Sequence, residues 1–376
     1  MRSASLRALM LTTDAHGGFG GIAQYNRDVV EVFASLDVFA DIVVLPRIVN
    51  EPHFTTPPKV RYDLGGCGGK AAYLLRSVTQ AVSGGTFSLV YCAHINLMPI
   101  AAAIARLKRI PLVLAIYGID AWRPPGRILV APLARACQHV FSVSQITLDR
   151  FRLWAGTGQA TTAVLPNAIH VEQFGLGPLS TDLVVRHGLG GRKVIMTLGR
   201  MSPTERYKGF DEVIELLPRL RTVVPEITYL IAGDGADRPR LAAKASELSV
   251  DDLVVFAGRI PEERKADYYR LADAYVMPSR GEGFGFVVLE ALACGVPVVA
   301  SMNDGTREAV RGGMLGILID PASPDELERG IMAALHRPKQ IPAGLAYFAF
   351  ERFAERLRGA ISRVMDHSSH AAEVGS

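Results

Sequence analysis

Two glutamates around a glycine-rich loop are the residues whose types and spacing most clearly suggest chemistry. Glu282 lies in the loop Arg280–Gly285, which holds three glycines in six residues, and Glu290 follows eight residues later. The apolar run Ala274–Pro278 before the loop predicts a buried β-strand, and apolar residues at helical spacing in Phe286–Cys294 predict a helix. The order strand, glycine loop, helix places both carboxylates around one loop.

A helix that begins directly after a glycine loop presents unpaired backbone N–H groups and the positive end of its dipole. This arrangement suits a phosphate group or sugar hydroxyls. A rise of ~1.5 Å per residue would carry Glu290 about 12 Å beyond Glu282. One carboxylate is then placed to face a sugar while the other reaches a more distant part of the same ligand. An ordinary strand–loop–helix unit with two solvated glutamates is the alternative interpretation.

The stretch Glu282–Ser301, EGFGFVVLEALACGVPVVAS, resembles the signature of the retaining glycosyltransferases of group 1 (family 4), with seven residues between its two glutamates. This resemblance implies an α/β GT-B fold, in which two doubly wound Rossmann-like domains face each other across a cleft. It also implies a C-terminal helix that crosses back to the N-terminal domain. By the same resemblance, Glu282 contacts the transferred sugar and Glu290 contacts the ribose of a nucleotide donor.

The basic residues of one loop are the candidates for the donor's diphosphate. A leaving diphosphate gathers negative charge, which calls for cations and N–H groups placed in advance. The segment Leu198–Gly209, LGRMSPTERYKG, follows a predicted strand, and its Arg200 and Lys208 match the basic pair of the family. Their spacing is longer than the common pattern because Ser202–Tyr207 lengthens the loop, and Arg206 is a competing candidate.

Further donor contacts are implied by the resemblance, most of them through backbone groups of turns that follow strands. These residues are Gly18, Gly20, Gly21, Gly235, Arg259, Ile260, Gly283, Phe284, Gly285 and Phe286. The N-terminal loop Gly17–Gly21 reads GGFGG, which differs from the GxGxxG of a dinucleotide site. The second predicted strand ends in Leu45-Pro46 without the ribose-binding acid of such a site, so a dehydrogenase is disfavoured.

The sequence departs from the family pattern at Tyr117. The segment Ala115–Trp122 resembles the family segment that usually carries a histidine beside the transferred sugar, and Tyr117 stands at that position. Either Tyr117 supplies the polar contact there, or His94, His16 or Asp120 does. A solvated loop side chain is the alternative interpretation for each histidine.

Strands alternate with helices in both halves of the chain, which predicts two parallel sheets with ligands at the carboxyl ends of their strands. A length of 376 residues also favours two domains over one. The glycine-rich segment 167–192 reads as the linker. The predicted division is an N-terminal acceptor-side domain 1–170, a nucleotide-sugar-binding domain 171–345, a crossover helix 346–367 and a disordered tail 368–376.

Charge is distributed unevenly along the chain. Residues 1–175 carry 16 Lys and Arg against 10 Asp and Glu, a net +6, whereas the remainder carries a net −2 of the total +4. A basic N-terminal half suits an anionic membrane surface or a pyrophosphate-bearing acceptor. Scattered solvated charge is the alternative, and nucleic acid is disfavoured because no recognition motif accompanies the bias.

The remaining sequence features bear on compartment and cofactors. No apolar run approaches the ~20 residues that span a bilayer, and Leu6–Thr13 is predicted to be the first strand and not a signal peptide. The four cysteines are widely spaced, which fits reduced thiols in the cytoplasm. We find no Asp-x-Asp, zinc-ligand spacing or Ser-His-Asp arrangement. The chain is therefore expected to need neither a metal nor a cofactor besides its nucleotide-sugar co-substrate.

These features together predict a cytoplasmic, metal-independent, retaining glycosyltransferase. The segments GGIAQYNRD, AHINLMPIA and GIDAWRP look most like exopolysaccharide-assembly members. That narrower resemblance implies GDP-mannose as the donor and a polyprenyl-diphosphate-linked saccharide at the inner membrane face as the acceptor, with a free saccharide also possible. Two alternatives stay open: a non-hydrolysing sugar-nucleotide epimerase of the same fold, and a non-catalytic sugar-nucleotide-binding subunit.

Overall fold

The structure is a computed structural model that describes residues 6–51, 53–156 and 160–374, with side chains as far as residue 366. The chain forms two compact units. The N-terminal unit comprises Met1–Ala168 with Phe350–Ser376, and the C-terminal unit comprises Ile169–Ala349. The boundary between the two units follows residue 168, two residues before the predicted boundary at 170. The chain returns to the N-terminal unit at residue 350, four residues after the predicted start of the crossover helix at 346.

The N-terminal unit is built on a seven-stranded parallel sheet with the order β3-β2-β1-β4-β5-β6-β7. Its strands are β1 Leu6–Thr12, β2 Phe39–Pro46, β3 Val60–Tyr62, β4 Leu89–Cys92, β5 Leu112–Ile116, β6 His139–Ser142 and β7 Thr161–Val164. The helices between them are α1 Gly21–Ser35, α2 Lys70–Ser83, α3 Met98–Lys108, α4 Val130–Arg135 and α5 Gln145–Ala155. The order changes direction between β1 and β4, so the loops after these two strands lie beside each other.

Helices α2 to α5 share a hydrophobic core with the sheet. Apolar side chains of the strands, such as Leu11 and Val90, pack against Tyr73 of α2, Met98 of α3 and Phe151 of α5. The central strands β4 and β5 are nearly all apolar, as expected for a parallel sheet that is covered by helices.

The C-terminal unit repeats this architecture with a six-stranded parallel sheet of order β10-β9-β8-β11-β12-β13. Its strands are β8 Lys193–Leu198, β9 Ile227–Ala232, β10 Val254–Gly258, β11 Ala274–Met277, β12 Val298–Ser301 and β13 Ile317–Ile319. Its helices are α6 Thr181–Arg186, α7 Phe210–Val223, α8 Arg238–Glu247, α9 Lys265–Leu271, α10 Phe286–Ala293, α11 Thr306–Ala309 and α12 Pro324–Leu335. Here the order changes direction between β8 and β11, which pair with Tyr275 opposite Met196.

The last helix, α13 Phe350–Val374, belongs to the N-terminal unit, as the resemblance implied. It packs on α1, where the rings of Tyr25 and Phe353 meet edge to face with centroids 5.4 Å apart. The predicted disordered tail was wrong for residues 368–374, which continue this helix. The segment contains no proline, and after Gly359 its next glycine is Gly375, so no residue stops the helix earlier. Gly375 and Ser376 lie outside the described residues.

Candidate functional site

An ion pair between Lys208 and Glu282 is the centre of the site in the C-terminal unit. Lys208 Nζ lies 2.7 Å from Glu282 Oε1, and the two side chains are only 15% and 18% exposed. Lys208 ends the loop after β8, and Glu282 lies in the loop after β11. Because β8 and β11 are neighbours in the sheet, residues 74 positions apart in the chain meet at one sheet edge.

Close contact between these two loops requires a glycine at position 209. Gly209 has a φ of 89°, and a Cβ built there would lie 2.7 Å from the carbonyl oxygen of Pro278. A side chain at this position would separate the loops and therefore the ion pair. Burial acts against the charged form of Lys208, but Glu282, Tyr207 and Glu205 together outweigh burial, so the pKa of Lys208 is raised and the amine stays cationic.

The carboxylate of Glu205 contacts both Arg200 and Lys208, the two cations predicted to bind the donor's diphosphate. Arg200, which is 71% exposed, donates to Oε1 of Glu205, and Lys208 Nζ lies 3.8 Å from Oε2 of the same carboxylate. The competing candidate Arg206 instead pairs with Asp237 at 3.7 Å. Sequence reasoning missed Glu205, although an acid three residues before Lys208 was the available signal.

A buried aspartate holds the loop that carries Glu282. Asp304 is fully buried and accepts hydrogen bonds from Ser279 Oγ at 2.7 Å, from the backbone N–H of Glu282 at 2.9 Å and from the backbone N–H of Thr306 at 3.0 Å. Burial raises the pKa of Asp304 to about 6, although these hydrogen bonds favour its charged form. The sequence offered no signal for Asp304, because Asn303–Thr306 reads only as a polar turn.

The start of α10 supplies backbone donors beside Glu282. Gly285 is the N-cap residue with a φ of 98°, no side chain caps the helix, and its first turn contains no acidic residue. Phe284 is buried and its ring packs on Phe348 with centroids 5.5 Å apart, so only its backbone is available to a ligand. Gly283, Gly285 and Phe286 therefore lie where the sequence predicted them, between the loop and the helix.

Glu290 lies on α10 with partners from α9. Its Oε1 is 3.0 Å from Lys265 Nζ, and its Oε2 accepts a hydrogen bond of 2.7 Å from the Tyr269 hydroxyl. Lys265 also contacts Glu262 at 2.6 Å. Burial acts against the charged form of Lys265, but Glu290 and Glu262 raise its pKa overall. Lys265 and Tyr269 hold the Glu290 carboxylate in place, and neither was predicted from the sequence.

The turns after β9 and β10 lie at the same end of the sheet, where the carboxyl ends of its parallel strands meet. A Cβ on Gly235 would lie 1.9 Å from the carbonyl oxygen of Met201, so this turn packs directly on the backbone beside Arg200. Arg259 and Ile260 follow β10, where Arg259 is exposed and Ile260 is half-buried. Gly235 therefore has a structural role in placing the loop after β8, in addition to the nucleotide contact implied for it.

In the N-terminal unit, Tyr117 is directed into the protein interior. Its hydroxyl donates a 2.8 Å hydrogen bond to Asn26 Oδ1, and its ring meets that of Tyr25 edge to face. Asn26 in turn donates to the carbonyl of Asp14. Because the Tyr117 hydroxyl is buried in this network, its placement argues against a direct contact between Tyr117 and a sugar.

His94 presents a neutral imidazole at the carboxyl end of β4. Its Nδ1 accepts a 3.1 Å hydrogen bond from the backbone N–H of Asn96. Burial and the neighbouring cations Arg47 and Arg127 lower the pKa of His94 to about 4. The proton of the neutral ring therefore lies on Nε2, which leaves His94 as a hydrogen-bond donor.

Asp120 lies after the neighbouring strand β5. Its Oδ2 is buried and has no hydrogen-bond partner within the described part of the chain. Burial raises the pKa of Asp120 to about 7, although backbone N–H groups of the turn oppose this shift. A carboxyl group that titrates near neutral pH is suited to exchanging a proton.

The glycine loop lies after β1, which is the strand next to β4. Gly20 is the N-cap of α1 with a φ of 89°, and α1 begins at Gly21 without a side-chain cap. Gly18 is buried, and a Cβ there would lie 2.8 Å from Asp14 Cβ. His16 bonds Tyr62 through Nδ1 at 2.7 Å, and burial lowers the pKa of His16 to about 4. Strand order thus brings this loop, His94 and Asp120 to one sheet edge.

The described residues contain neither a candidate metal site nor a helix suited to crossing a bilayer. Across residues 6–51, 53–156 and 160–374, no group of three or more His, Cys, Asp or Glu side chains is arranged to hold a metal ion. None of the helices in these ranges is both long and apolar enough to cross a bilayer.

Comparison with known proteins identifies the family. The family model described as "Glycosyl transferases group 1" matches residues 183–347, and the model described as "Glycosyltransferase Family 4" matches residues 19–173. The chain belongs to the group 1, family 4 glycosyltransferases. The first match covers the Lys208–Glu282 site, and the second covers Gly20 and Gly21 of the glycine loop, His94 and Asp120.

Curated relatives of this glycosyltransferase act on different acceptors. It is 34% identical over 248 residues to the GDP-mannose-dependent alpha-(1-6)-phosphatidylinositol monomannoside mannosyltransferase of Mycolicibacterium smegmatis. This alignment covers 63% of this chain and 64% of that relative. It is 28% identical over 364 residues to the D-inositol 3-phosphate glycosyltransferase of Geodermatophilus obscurus, covering 91% and 74%. The aligned part thus spans just under two thirds of the mycolicibacterial relative.

Solved structures establish the fold of this glycosyltransferase as GT-B. The crystal structure of Anabaena Alr3699/HepE in complex with UDP and glucose superposes with a TM-score of 0.75 at 20% identity, covering 95% of this chain and 100% of that one. The sucrose-phosphate synthase of Thermosynechococcus elongatus superposes with a TM-score of 0.70 at 19% identity, covering 98% of each chain.

Proposed function

We propose that this glycosyltransferase moves a sugar from a nucleotide-diphosphate donor to a saccharide acceptor with retention of anomeric configuration. The observation that carries the proposal is the partly buried ion pair of Lys208 and Glu282 beside the uncapped start of α10. A cation and backbone N–H groups suit the two phosphates, and a carboxylate suits the hydroxyls of the sugar.

Each donor group has a residue assigned to it in this proposal. Lys208 and Arg200 bind the diphosphate, Glu282 bonds the sugar hydroxyls, and Glu290 bonds the ribose hydroxyls. The backbone of the turn with Arg259 and Ile260 contacts the base of the donor nucleotide. The acceptor hydroxyl attacks the anomeric carbon on the face that the diphosphate leaves, and a leaving phosphate oxygen takes its proton. The reaction needs no enzymic nucleophile, and its products are the glycosylated acceptor and a nucleoside diphosphate.

In the N-terminal unit we assign acceptor recognition to the sheet edge with His94 and Asp120. The neutral imidazole offers Nε2–H to a hydroxyl, and the Asp120 carboxyl offers an oxygen without a protein partner. Tyr117 is left with a structural role because its hydroxyl is bonded to Asn26. This assignment revises the catalytic role that the sequence pattern suggested for Tyr117.

For the donor we propose GDP-mannose, which the name of the mycolicibacterial relative supports. For the acceptor we propose a lipid-linked saccharide used in cell-surface or exopolysaccharide synthesis. A thermal-shift screen of GDP-mannose, UDP-glucose and related donors tests the first proposal, because a ligand that binds only the folded state raises its stability. A larger shift with UDP-glucose than with GDP-mannose would reject GDP-mannose as the donor.

Donor turnover is expected to continue in excess EDTA. In the proposed mechanism Lys208, Arg200 and the N–H groups of α10 supply the positive charge that other enzymes take from a divalent ion. Initial rates with and without EDTA measure this directly. An EDTA-treated enzyme that regains activity only with Mn²⁺ would contradict the assignment of charge stabilisation to these residues.

The lipid-linked acceptor is also supported by an apolar stripe on α2. One side of this helix packs on the sheet through Tyr73, Ser77 and other buried residues. The opposite side exposes large apolar side chains, and we call this set the α2 stripe: Leu74, Leu75, Val78 and Val82. Exposed apolar side chains on consecutive turns are typical of a surface that meets a protein or a membrane.

Charge around the α2 stripe favours an anionic bilayer as its partner. Residues 64–148, which contain α2, α3 and α4, include eight Lys and Arg but a single acid, Asp120. The eight bases are Lys70, Arg76, Arg106, Lys108, Arg109, Arg123, Arg127 and Arg135. An apolar stripe in a basic region matches the requirements for docking on anionic lipid. We therefore propose peripheral contact with the cytoplasmic face of the plasma membrane.

Substitution of Leu75 with glutamate is expected to release the protein from vesicles. Leu75 is 66% exposed, and the change removes apolar area and places a negative charge against anionic lipid. Cosedimentation with phosphatidylglycerol vesicles should fall several-fold, and wild-type binding should weaken with salt, because exposed charges are screened beyond ~8 Å at physiological ionic strength.

The matched control is Val185→Glu, which alters a 76% exposed apolar residue of α6 in the C-terminal unit. Its binding to phosphatidylglycerol should equal that of the wild type. Equal binding of the wild type to phosphatidylcholine and phosphatidylglycerol vesicles would reject the electrostatic part of the proposal, and unchanged binding of Leu75→Glu would reject the α2 stripe.

A further inference from the structure

Glu205 places an anion between the two cations that we assign to the donor's diphosphate. Its Oε1 accepts a hydrogen bond from Arg200, and its Oε2 lies 3.4 Å from Arg200 Nε and 3.8 Å from Lys208 Nζ. The side chain is mostly buried, with 16% of its surface exposed. Two carboxylate oxygens spread over an arginine and a lysine resemble two oxygens of a diphosphate spread over the same pair.

The loop itself holds Glu205 in this position. The backbone N–H of Glu205 donates to the carbonyl of Ser202 at 2.9 Å, and the N–H of Lys208 donates to the carbonyl of Glu205 at 3.2 Å. These local bonds lie within residues 202–208, and this stretch includes the segment Ser202–Tyr207 that makes the loop longer than the family pattern. The same extension that separates Arg200 from Lys208 along the chain therefore supplies the acid that joins them in space.

Glu205 and Glu282 contact Lys208 in different ways. Glu282 makes the closer contact, at 2.7 Å, and its backbone is fixed by Asp304, whereas Glu205 lies farther from the lysine and holds the exposed Arg200. Of the two acids beside Lys208, Glu205 therefore makes the longer contact and Glu282 the shorter one.

We propose that Glu205 is an internal competitor for the diphosphate, which must displace its carboxylate from Arg200 and Lys208 in order to bind. This inference rests on the proposed assignment of these cations to a nucleotide-diphosphate donor. The displaced carboxylate repels the bound diphosphate, so Glu205 weakens binding of both the donor and the nucleoside diphosphate product. Weaker binding of the nucleoside diphosphate speeds its release, and product release limits turnover in many enzymes.

Glu205→Gln tests this proposal because glutamine keeps the size and a carbonyl acceptor for Arg200 but removes the charge. Isothermal titration with GDP and with UDP should show binding to Glu205→Gln about tenfold tighter than to the wild type, as expected for removal of one close charge of the same sign. Glu205→Asp, which keeps the charge, should bind close to the wild-type value. Melting curves identify any variant that fails to fold.

Two further variants separate failure of this inference from failure of the proposed function. Glu215→Gln is the matched control, since it removes an acid of the same unit that pairs with Lys244 and not with Lys208. It should leave nucleotide affinity unchanged. Lys208→Ala should weaken binding at least tenfold.

Unchanged or weaker binding by Glu205→Gln, with Lys208→Ala also weakened, would overturn the role of Glu205 alone. Wild-type affinity in Lys208→Ala, or no binding of GDP or UDP by the wild type, would overturn the diphosphate site and this inference together.

Discussion

Lys208→Ala is expected to lower kcat/KM for the nucleotide sugar by about 10²–10³-fold, the effect of removing one preplaced charge-stabilising group from an active site. Lys208 is largely shielded from water and stays cationic, so its charge acts on the diphosphate at short range. Negative charge on the diphosphate increases as the bond to the sugar breaks. The loss is therefore expected in the transition state more than in the bound donor.

The fold is expected to survive this substitution. Glu282 keeps its backbone bond to Asp304 when the lysine is removed, and its carboxylate retains contact with water. Lys193→Ala is the matched control, because Lys193 lies on β8 of the same unit and forms an exposed ion pair with Asp273 at 3.6 Å. Steady-state kinetics and melting curves measure both variants. Activity of Lys208→Ala within threefold of the wild type would remove Lys208 from the mechanism.

Glu282→Gln and Glu290→Gln are expected to change different kinetic parameters, the first kcat and the second the donor KM. Glu282 is assigned to the transferred sugar, whose charge changes during the reaction, so its substitution should lower kcat at least about tenfold. Glu290 is assigned to the ribose, which changes little. Its substitution should raise the donor KM about tenfold, the expected loss when a charge-assisted hydrogen bond is weakened.

The environment of Glu290 provides a check on a purely structural effect. In Glu290→Gln, Lys265 keeps its contact with Glu262, and Tyr269 keeps a carbonyl acceptor, so the melting temperature should change little. Glu215→Gln again serves as the control. A full kcat in Glu282→Gln would contradict the placement of the sugar beside this loop. An unchanged KM in Glu290→Gln, together with a lower melting temperature, would leave Glu290 with a structural role only.

The elements that hold the site follow from local sequence patterns. Apolar runs predicted the strands on both sides of the loops, and the glycines before Phe286 predicted an uncapped helix start. Glu282 and Lys208 were both selected because each follows a predicted strand and matches a family motif. Their contact depends on strand order, since only the pairing of β8 with β11 brings them together.

The residues that sequence reasoning missed depend on contacts that no local pattern encodes. Asp304 bonds the Glu282 backbone from the loop after the neighbouring strand β12, and Lys265 reaches Glu290 from another helix. Tyr117 was expected to contact a ligand because it stands at a family histidine position. Its hydroxyl instead meets Asn26, 91 residues earlier in the chain, because α1 packs beside the end of β5. The motif therefore located Tyr117 along the chain, but the packing of α1 determines where its side chain points.

Retaining sugar transfer is tested most directly by following donor and product by NMR while the enzyme is incubated with GDP-mannose or UDP-glucose and a lipid-linked saccharide fraction. We predict that the α-linked donor gives an α-linked product and an equal amount of nucleoside diphosphate, only when acceptor is present. Lys208→Ala should form both products about 10²–10³-fold more slowly. A β-linked product would contradict retention. Conversion of the nucleotide sugar to its epimer without acceptor would show an epimerase, and binding of the donor without either product would show a non-catalytic subunit.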